Sequence, residues 1–371
     1  MADEVKAMPR TDFSTSVEGA ILGMGNPLLD ISANVGEEML KKYGLEANNA
    51  VLAEEKHLSL YEELKENFKP DYTAGGATQN SIRTAQWILQ TPGSTSYFGA
   101  VGKDDFCEQM TANAKGDGVN VQYYQNADVP TGTCGVLITQ NGHARSLVAN
   151  LAAANTYPVE HLKESAQWSI VEKARVFYIA GFFLTVSPPS VIEIGKHAFK
   201  TGKTFCMNLS APFLLEVPPF FDAFKNAKPW VDVYFGNETE ARTLAKAMGW
   251  ETEDVCEIAV KLAREPKASV RPRTVIFTQG AESTVIAVGD PERLWSVDQY
   301  GVIPCPKNEL LDSNGAGDAF VGGYIGGLAK GATQAECVAM GNYCANVVIK
   351  RSGATLPEKP YFCFRNTKVI V

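Results

Sequence analysis

The sequence has no excess of positive charge. Its 34 Lys and Arg stand against 42 Asp and Glu, a formal net charge of −8. A nucleic-acid binder usually carries a basic face, so that class finds no support. A phosphate ligand stays open, because a local site can oppose the global charge. No apolar run approaches the ~20 residues of a membrane span; the longest is Val176 to Val186. The N-terminus, MADEVKAMPRTDFSTSVEG, has neither the apolar core of a secretory signal nor a dense Lys/Arg cluster, and residues 1–18 read as a flexible polar tail. Eight cysteines occur without a CxxC pair or zinc-site spacing, and read as reduced thiols of a cytoplasmic protein. The glycosylation patterns at Asn208 and Asn237 then carry no meaning as sugar sites. No internal repeat stands out.

What is present fits a globular enzyme. The 371 residues are 45% hydrophobic and 20% charged, which excludes a disordered chain and leaves ample length for one large domain over residues 19–371. Ala20 to Gly25 reads as a buried strand. Leu28 to Val35 alternates, as a strand with one exposed face would. Leu58 to Phe68 and Gln79 to Leu89 carry helical spacing, with short strands at Tyr72–Gly76 and Ser96–Val101. TGTCGVLIT and ARSLVANLA predict a hairpin turning at Asn141-Gly142. That hairpin and Leu28–Val35 suggest a small sheet outside the main one, a lid built from about 28–50 and 128–155. Beyond about residue 170, strands at Val176–Ala180, Thr204–Leu209, Val231–Gly236, Thr274–Thr278 and Thr284–Val288 alternate with helices. This rhythm predicts a largely parallel sheet with helices on both faces and ligands beyond the strand carboxyl ends.

Two short patterns are decoys. Gly23-Met24-Gly25 follows a strand, but Pro27 stops a helix from starting where a dinucleotide would need one. Gly202-Lys203-Thr204 looks like the end of a P-loop, yet His197 stands where the first glycine is required and the segment leads into a strand. Lys203 reads as a surface turn residue.

The most informative stretch is Asp312-Ser313-Asn314-Gly315-Ala316-Gly317-Asp318. It follows a strand-like segment and opens a long helix. Gly315, Ala316 and Gly317 allow a tight turn whose backbone N–H groups point one way, and the helix start adds partial positive charge. Such an anion hole holds charge developing on a transferred phosphoryl group. Asp318 beside it can take a proton from an attacking hydroxyl. The helix carries Gly322, Gly323, Gly326 and Gly327, each costing about 1 kcal/mol of helix stability; close helix packing is the expected compensation.

DSNGAGDAFVGGY resembles the C-terminal signature of the ribokinase-like carbohydrate and nucleoside kinases, and Gly75-Gly76-Ala77-Thr78-Gln79-Asn80 resembles their N-terminal glycine-pair signature. GMGNPLLDIS, AGGATQNSI, PTGTC, RSLVANLAAAN, YIAGFFLTVSP, NLSAPF, FGNETEA, FTQG and TLPEKP follow in the order of the eukaryotic, adenosine-phosphorylating branch, spanning Gly23 to Pro360. The resemblance implies an α/β fold: a ribokinase-like three-layer α/β/α sandwich with a mostly parallel central sheet and a small β-sheet lid. It implies ATP as co-substrate, Mg2+, and adenosine as the small-molecule acceptor. A monomer that uses neither nucleic acid nor a membrane is expected.

Residue by residue, the resemblance assigns Asp318 as general base, Asn314, Gly315, Ala316 and Gly317 as the anion hole, and Arg145, just before a lid strand, as a phosphate contact. Asn26, Asp30, Gly76 and Asn80 would meet the ribose, with Ala77 close by. Cys134, Leu147, Leu151, Phe183 and Phe213 would wall the base, with Phe183 able to stack on it. Asn237 would meet the nucleotide phosphates and Glu240 would organise Mg2+ through water; Thr278, Gln279, Gly280 and Asn342 would line the ATP site. Ala77 stands where serine is common, Ala50 where glutamine is common, and Ser313 where threonine is common. Two rivals remain at this level: another nucleoside or sugar kinase of the same fold, and a non-catalytic nucleoside-binding protein.

Overall fold

The computed structural model describes residues 16–47, 50–139 and 144–362. Most of the expected tail and the Asn141-Gly142 turn lie outside the described residues. Fourteen strands appear among those described. In chain order they are β1 (Ile21–Met24), β2 (Leu28–Asn34), β3 (Ala50–Leu52), β4 (Asp71–Gly75), β5 (Thr95–Val101), β6 (Asn120–Gln125), β7 (Thr133–Thr139), β8 (Ala144–Asn150), β9 (Val176–Ala180), β10 (Thr204–Asn208), β11 (Val233–Asn237), β12 (Arg273–Gln279), β13 (Glu282–Gly289) and β14 (Leu294–Tyr300).

Nine strands form the main sheet in the order β14-β13-β12-β11-β10-β9-β1-β5-β6. From β6 to β12 every pairing is parallel; β13 and β14 add an antiparallel edge. The sheet is buried on both faces, as its strand sequences require. Leu22, Phe177 and Phe205 enter one core, whereas their chain neighbours Ile21, Tyr178 and Cys206 enter the other. Helices cover both faces, giving the three-layer sandwich expected.

Five strands form a second sheet, β3-β8-β7-β2-β4. It unites β2 with the β7–β8 hairpin, and takes in β4 as well. One face is closed by helices Glu37–Tyr43 and Leu60–Asn67 over Ile31, Leu137 and Val148. Alternation turns Asp30, Cys134, Leu147 and Arg145 to the opposite face, because Asp30 pairs Cys134, while Leu147 pairs Val136 and Arg145 pairs Ile138.

Three expectations change. Arg145 lies within β8, as its second residue, rather than before it. Residues 301–315 form no strand, so the segment leading to Asp312 is irregular despite its apolar Leu310 and Leu311. Lys203 is half-buried, and its ammonium binds the carbonyls of Val171 and Glu172 instead of facing water.

The glycine-rich helix, Ala316–Ala329, packs between helices Ala77–Leu89 and Gln334–Val348. A Cβ at Gly322 would lie 2.5 Å from the Ser81 carbonyl oxygen, and one at Gly323 2.5 Å from that of Met340. Close packing offsets the poor helix propensity, and it brings the two glycine signatures side by side.

Candidate active site

The parallel strands end on one edge, where β9, β10, β11 and β12 release Gly181, Asn208, Asn237 and Thr278. A cavity of about 130 Å³ opens there, lined among others by Asn208, Asn237, Glu240, Thr278, Gly317 and Asp318.

The start of helix Ala316–Ala329 faces this cavity. Gly315 is its N-cap with φ 77°, a left-handed conformation that glycine adopts without strain. Gly317 is exposed, and a Cβ there would meet no protein atom within 4 Å. The fold does not need glycine at 317. No side chain caps this helix, which leaves its first N–H groups directed at the cavity mouth.

Asp318 and Asn80 join the two signatures directly. Asn80 Nδ2 donates to Asp318 Oδ2 at 3.0 Å. Burial pushes the Asp318 carboxyl up to about 7, the Asn80 hydrogen bond pulls it down, and the charges of Asp30 and Glu240 push it further up. A carboxyl poised near neutrality suits proton abstraction at physiological pH.

The glycine pair has a steric cause. A Cβ on Gly75 would sit 2.4 Å from Asp30 Oδ1, and one on Gly76, whose φ is 96°, would sit 2.2 Å from the Asn26 carbonyl oxygen. The pair therefore lets Asn26 and Asp30 close over the start of helix Ala77–Leu89. Asn26 Oδ1 and Asn80 Oδ1 are buried acceptors without a protein donor among the described residues. Buried acceptors of this kind are satisfied by ligand hydroxyls or water. Burial raises the Asp30 carboxyl to about 7, opposed by the charges of Arg83 and Arg145.

Arg145 is buried, with Nε 3.1 Å from Asp312 Oδ2, and donates to Ser352 Oγ at 2.5 Å. It is not a solvated surface arginine. The segment around Ser352 runs as a strap across helix Ala77–Leu89: Trp87 Nε1 donates to the Pro357 carbonyl at 2.6 Å and Arg83 Nη1 to that of Ala354 at 3.4 Å.

Asn237 caps helix Glu238–Ala247 and shares a capping box with Glu240. Asn237 Oδ1 accepts from Glu240 N at 2.8 Å, while the Glu240 carboxylate accepts from Asn237 N at 3.0 Å and Nδ2 at 3.1 Å. Burial raises Glu240 to about 7. Thr278 lines the cavity; Gln279 and Gly280 form the β12–β13 turn, with Gln279 Nε2 bonded to the Ser283 carbonyl. Asn342 is buried and donates to the Gly301 carbonyl at 3.0 Å, outside the cavity lining.

The apolar candidates divide. Cys134 is buried beside Asp30 on the second sheet, on the face opposite its helices, and Leu147 and Leu151 are half-buried. Phe183 is fully buried against Tyr157 in the large-domain core. Its neighbour Phe182 lines the cavity and stands 6.2 Å from Phe213, centroid to centroid. Sequence reasoning missed Phe182, Asn208 and Ser210. Ser210 is held at φ 70° with its Oγ accepting from Gly181 N at 2.8 Å; its strand-end position was the available signal.

The pfkB family carbohydrate kinase profile matches residues 37–360. The chain belongs to the pfkB family. Its relatives include adenosine kinase 2 of Arabidopsis thaliana, 54% identical over 94% of this chain and 99% of the relative. Adenosine kinase of Dictyostelium discoideum is 41% identical over 91% of this chain and 96% of its own. Among solved structures, Anopheles gambiae adenosine kinase in complex with P1,P4-di(adenosine-5) tetraphosphate superposes with TM-score 0.84 at 44% identity, covering 93% of this chain and 99% of that one. Within this family, the adenosine-acting relatives span nearly the whole of the present chain.

Proposed function

We propose that the chain is an adenosine kinase, transferring the γ-phosphoryl group of ATP to the 5′-hydroxyl of adenosine to give AMP and ADP. The observation that carries the reading is Asp318 at the uncapped start of a helix, beside Gly315–Gly317 and bonded to Asn80 of the other signature. The high identity to adenosine kinases over almost the full length supports adenosine as acceptor.

In this reading Asn26, Asp30 and Asn80 take the ribose hydroxyls, with Ala77 beside them and the Gly76 backbone close. Cys134, Leu147 and Leu151 of the lid and Phe182 and Phe213 of the large domain enclose the base, whereas Phe183, the aromatic expected there from the sequence, is fully buried in the core beside Tyr157 and is replaced in that role by its neighbour Phe182. Asp318 accepts the 5′-hydroxyl proton as the oxygen attacks the γ-phosphorus and the bond to the β-phosphate oxygen breaks. The N–H groups of the Asn314–Gly317 turn and Arg145 stabilise the charge on the phosphoryl group in flight. Asn237, Thr278, Gln279, Gly280 and Asn342 border the nucleotide. Lid closure keeps water from the γ-phosphate.

Among the described residues no cluster of three His, Cys, Asp or Glu could cage a metal ion. Mg2+ needs no such cage; it keeps its waters and uses one or two carboxylates with substrate phosphates. Glu240, an oxygen donor at the cavity with both oxygens already bonded to Asn237, fits that outer role. Bound there, Mg2+ would neutralise phosphate charge.

The seven described cysteines are all free thiols, in keeping with a reducing, cytoplasmic setting. The test is ATP-dependent turnover with adenosine, guanosine, ribose and fructose, with and without Mg2+. Preference for adenosine is expected; binding without AMP formation would sink the reading.

A further inference from the structure

We propose that Asp312 is a positioning residue that makes lid docking and anion-hole ordering one event, an inference that rests on the kinase reading above. One carboxylate carries both tasks on separate oxygens. Oδ1 accepts from Asn314 N and Asn314 Nδ2, each at 2.9 Å, and so fixes the turn that leads into Gly315. Oδ2 lies 3.1 Å from Arg145 Nε and accepts from Gly353 N at 3.1 Å.

Arg145 arrives on β8 of the lid sheet, Gly353 on the C-terminal strap, and Asn314 on the turn itself. Three separate pieces of chain thus meet on a single side chain. Asp312 and Arg145 are both buried, with 7% and 8% of their surface exposed. A buried ion pair is costly to break, since the abandoned partner keeps its desolvation cost without its counter-charge. Withdrawing the lid would therefore strip Asp312 of its cation and loosen the hold on Asn314. The anion hole is ordered when the lid is down and slackens when it lifts, so ATP meets a finished site only after closure has excluded water.

The tie is tested without ligand by amide hydrogen exchange of the turn 313–318 in the wild type and in Arg145→Gln. Arg145 is tied to this segment through Asp312, so a role confined to touching phosphate leaves exchange unchanged. The proposal expects exchange in the turn to rise about tenfold or more, and by more than in segments remote from Asp312, which separates the local effect from the stability lost with the buried pair. Asp312→Asn, assayed in full, is expected to lower kcat about tenfold or more while adenosine KM stays within about threefold. The combined variant is expected to be no slower than Arg145→Gln alone, which already loses both the phosphate contact and the hold on Asp312. Unchanged exchange in Arg145→Gln, or additive losses in kcat, overturns the proposal. Should Asp312→Asn fail to fold, the Arg145→Gln exchange measurement decides alone. Wild-type turnover on adenosine in the same assay judges the kinase reading separately.

Discussion

Asn80 and Asp318, 238 residues apart in sequence, share a hydrogen bond of 3.0 Å at the point where the two glycine-rich signatures touch. Neither residue needs the other for its own helix. Their meeting is made by the packing of helix Ala77–Leu89 against helix Ala316–Ala329, which glycine at 322 permits.

Asn80→Ala removes a donor to a carboxylate. A hydrogen bond to a charged group contributes about 1.5–3 kcal/mol, so kcat/KM for adenosine is expected to fall about 10- to 100-fold. Because that bond holds the Asp318 carboxyl down, its loss moves the acid limb of the pH–rate profile to higher pH. An acid limb that stays where the wild type has it would refute the tie.

Asp318→Asn is expected to lower kcat by about 10³-fold while adenosine binding persists. In the wild type, kcat/KM should rise with pH through about 7, as Asp318 loses its proton. Stability moves the other way. A carboxyl raised in the folded state favours folding below its ordinary range, and that contribution is lost as pH rises through about 7. The melting temperature of Asp318→Asn should therefore gain on the wild type between about pH 5 and pH 8. Near-normal turnover in the variant removes Asp318 from the mechanism.

Gly76→Ala and Gly317→Ala separate fold from function. Alanine at 76 meets the Asn26 carbonyl and a positive φ, so a loss of about 1–3 kcal/mol in a denaturant melt is expected. Alanine at 317 meets nothing in the protein. Its melt should match the wild type while kcat falls about tenfold or more. Equal effects on both measurements would contradict the steric reading.

Glu240→Gln is expected to raise the Mg2+ concentration for half-maximal activity by about tenfold. Gln keeps the capping acceptor for Asn237 N, so the melt should change little. An unshifted Mg2+ dependence would limit Glu240 to its helix cap.

Local sequence carried much of this molecule. The alternation after residue 170 reads straight into β9–β12, because parallel strands buried on both faces are apolar runs with helices between; β13 is legible as a strand but joins antiparallel. The Asn237–Glu240 box was legible because a cap needs only a spacing of three. Long-range geometry was not. Asp312 sat in a motif as an unassigned letter, since its task depends on Arg145, 167 positions earlier, and on Gly353. Phe182 and Phe183 are adjacent and chemically alike; which one faces the cavity depends on a 3-10 turn, Gly181–Thr185, that no periodicity announces. The apolar Leu310-Leu311 pair looked like strand and is exposed loop.

The strap across helix Ala77–Leu89 also sets an order in time. Ser352, Gly353 and Pro357 are synthesised well after β7, β8 and the helix they bind. Domains assemble from the N-terminus as they are synthesised. A nascent chain can therefore pair its main-sheet strands and form its second sheet, yet it waits for this later segment before Arg145 and Asp312 acquire their partners there.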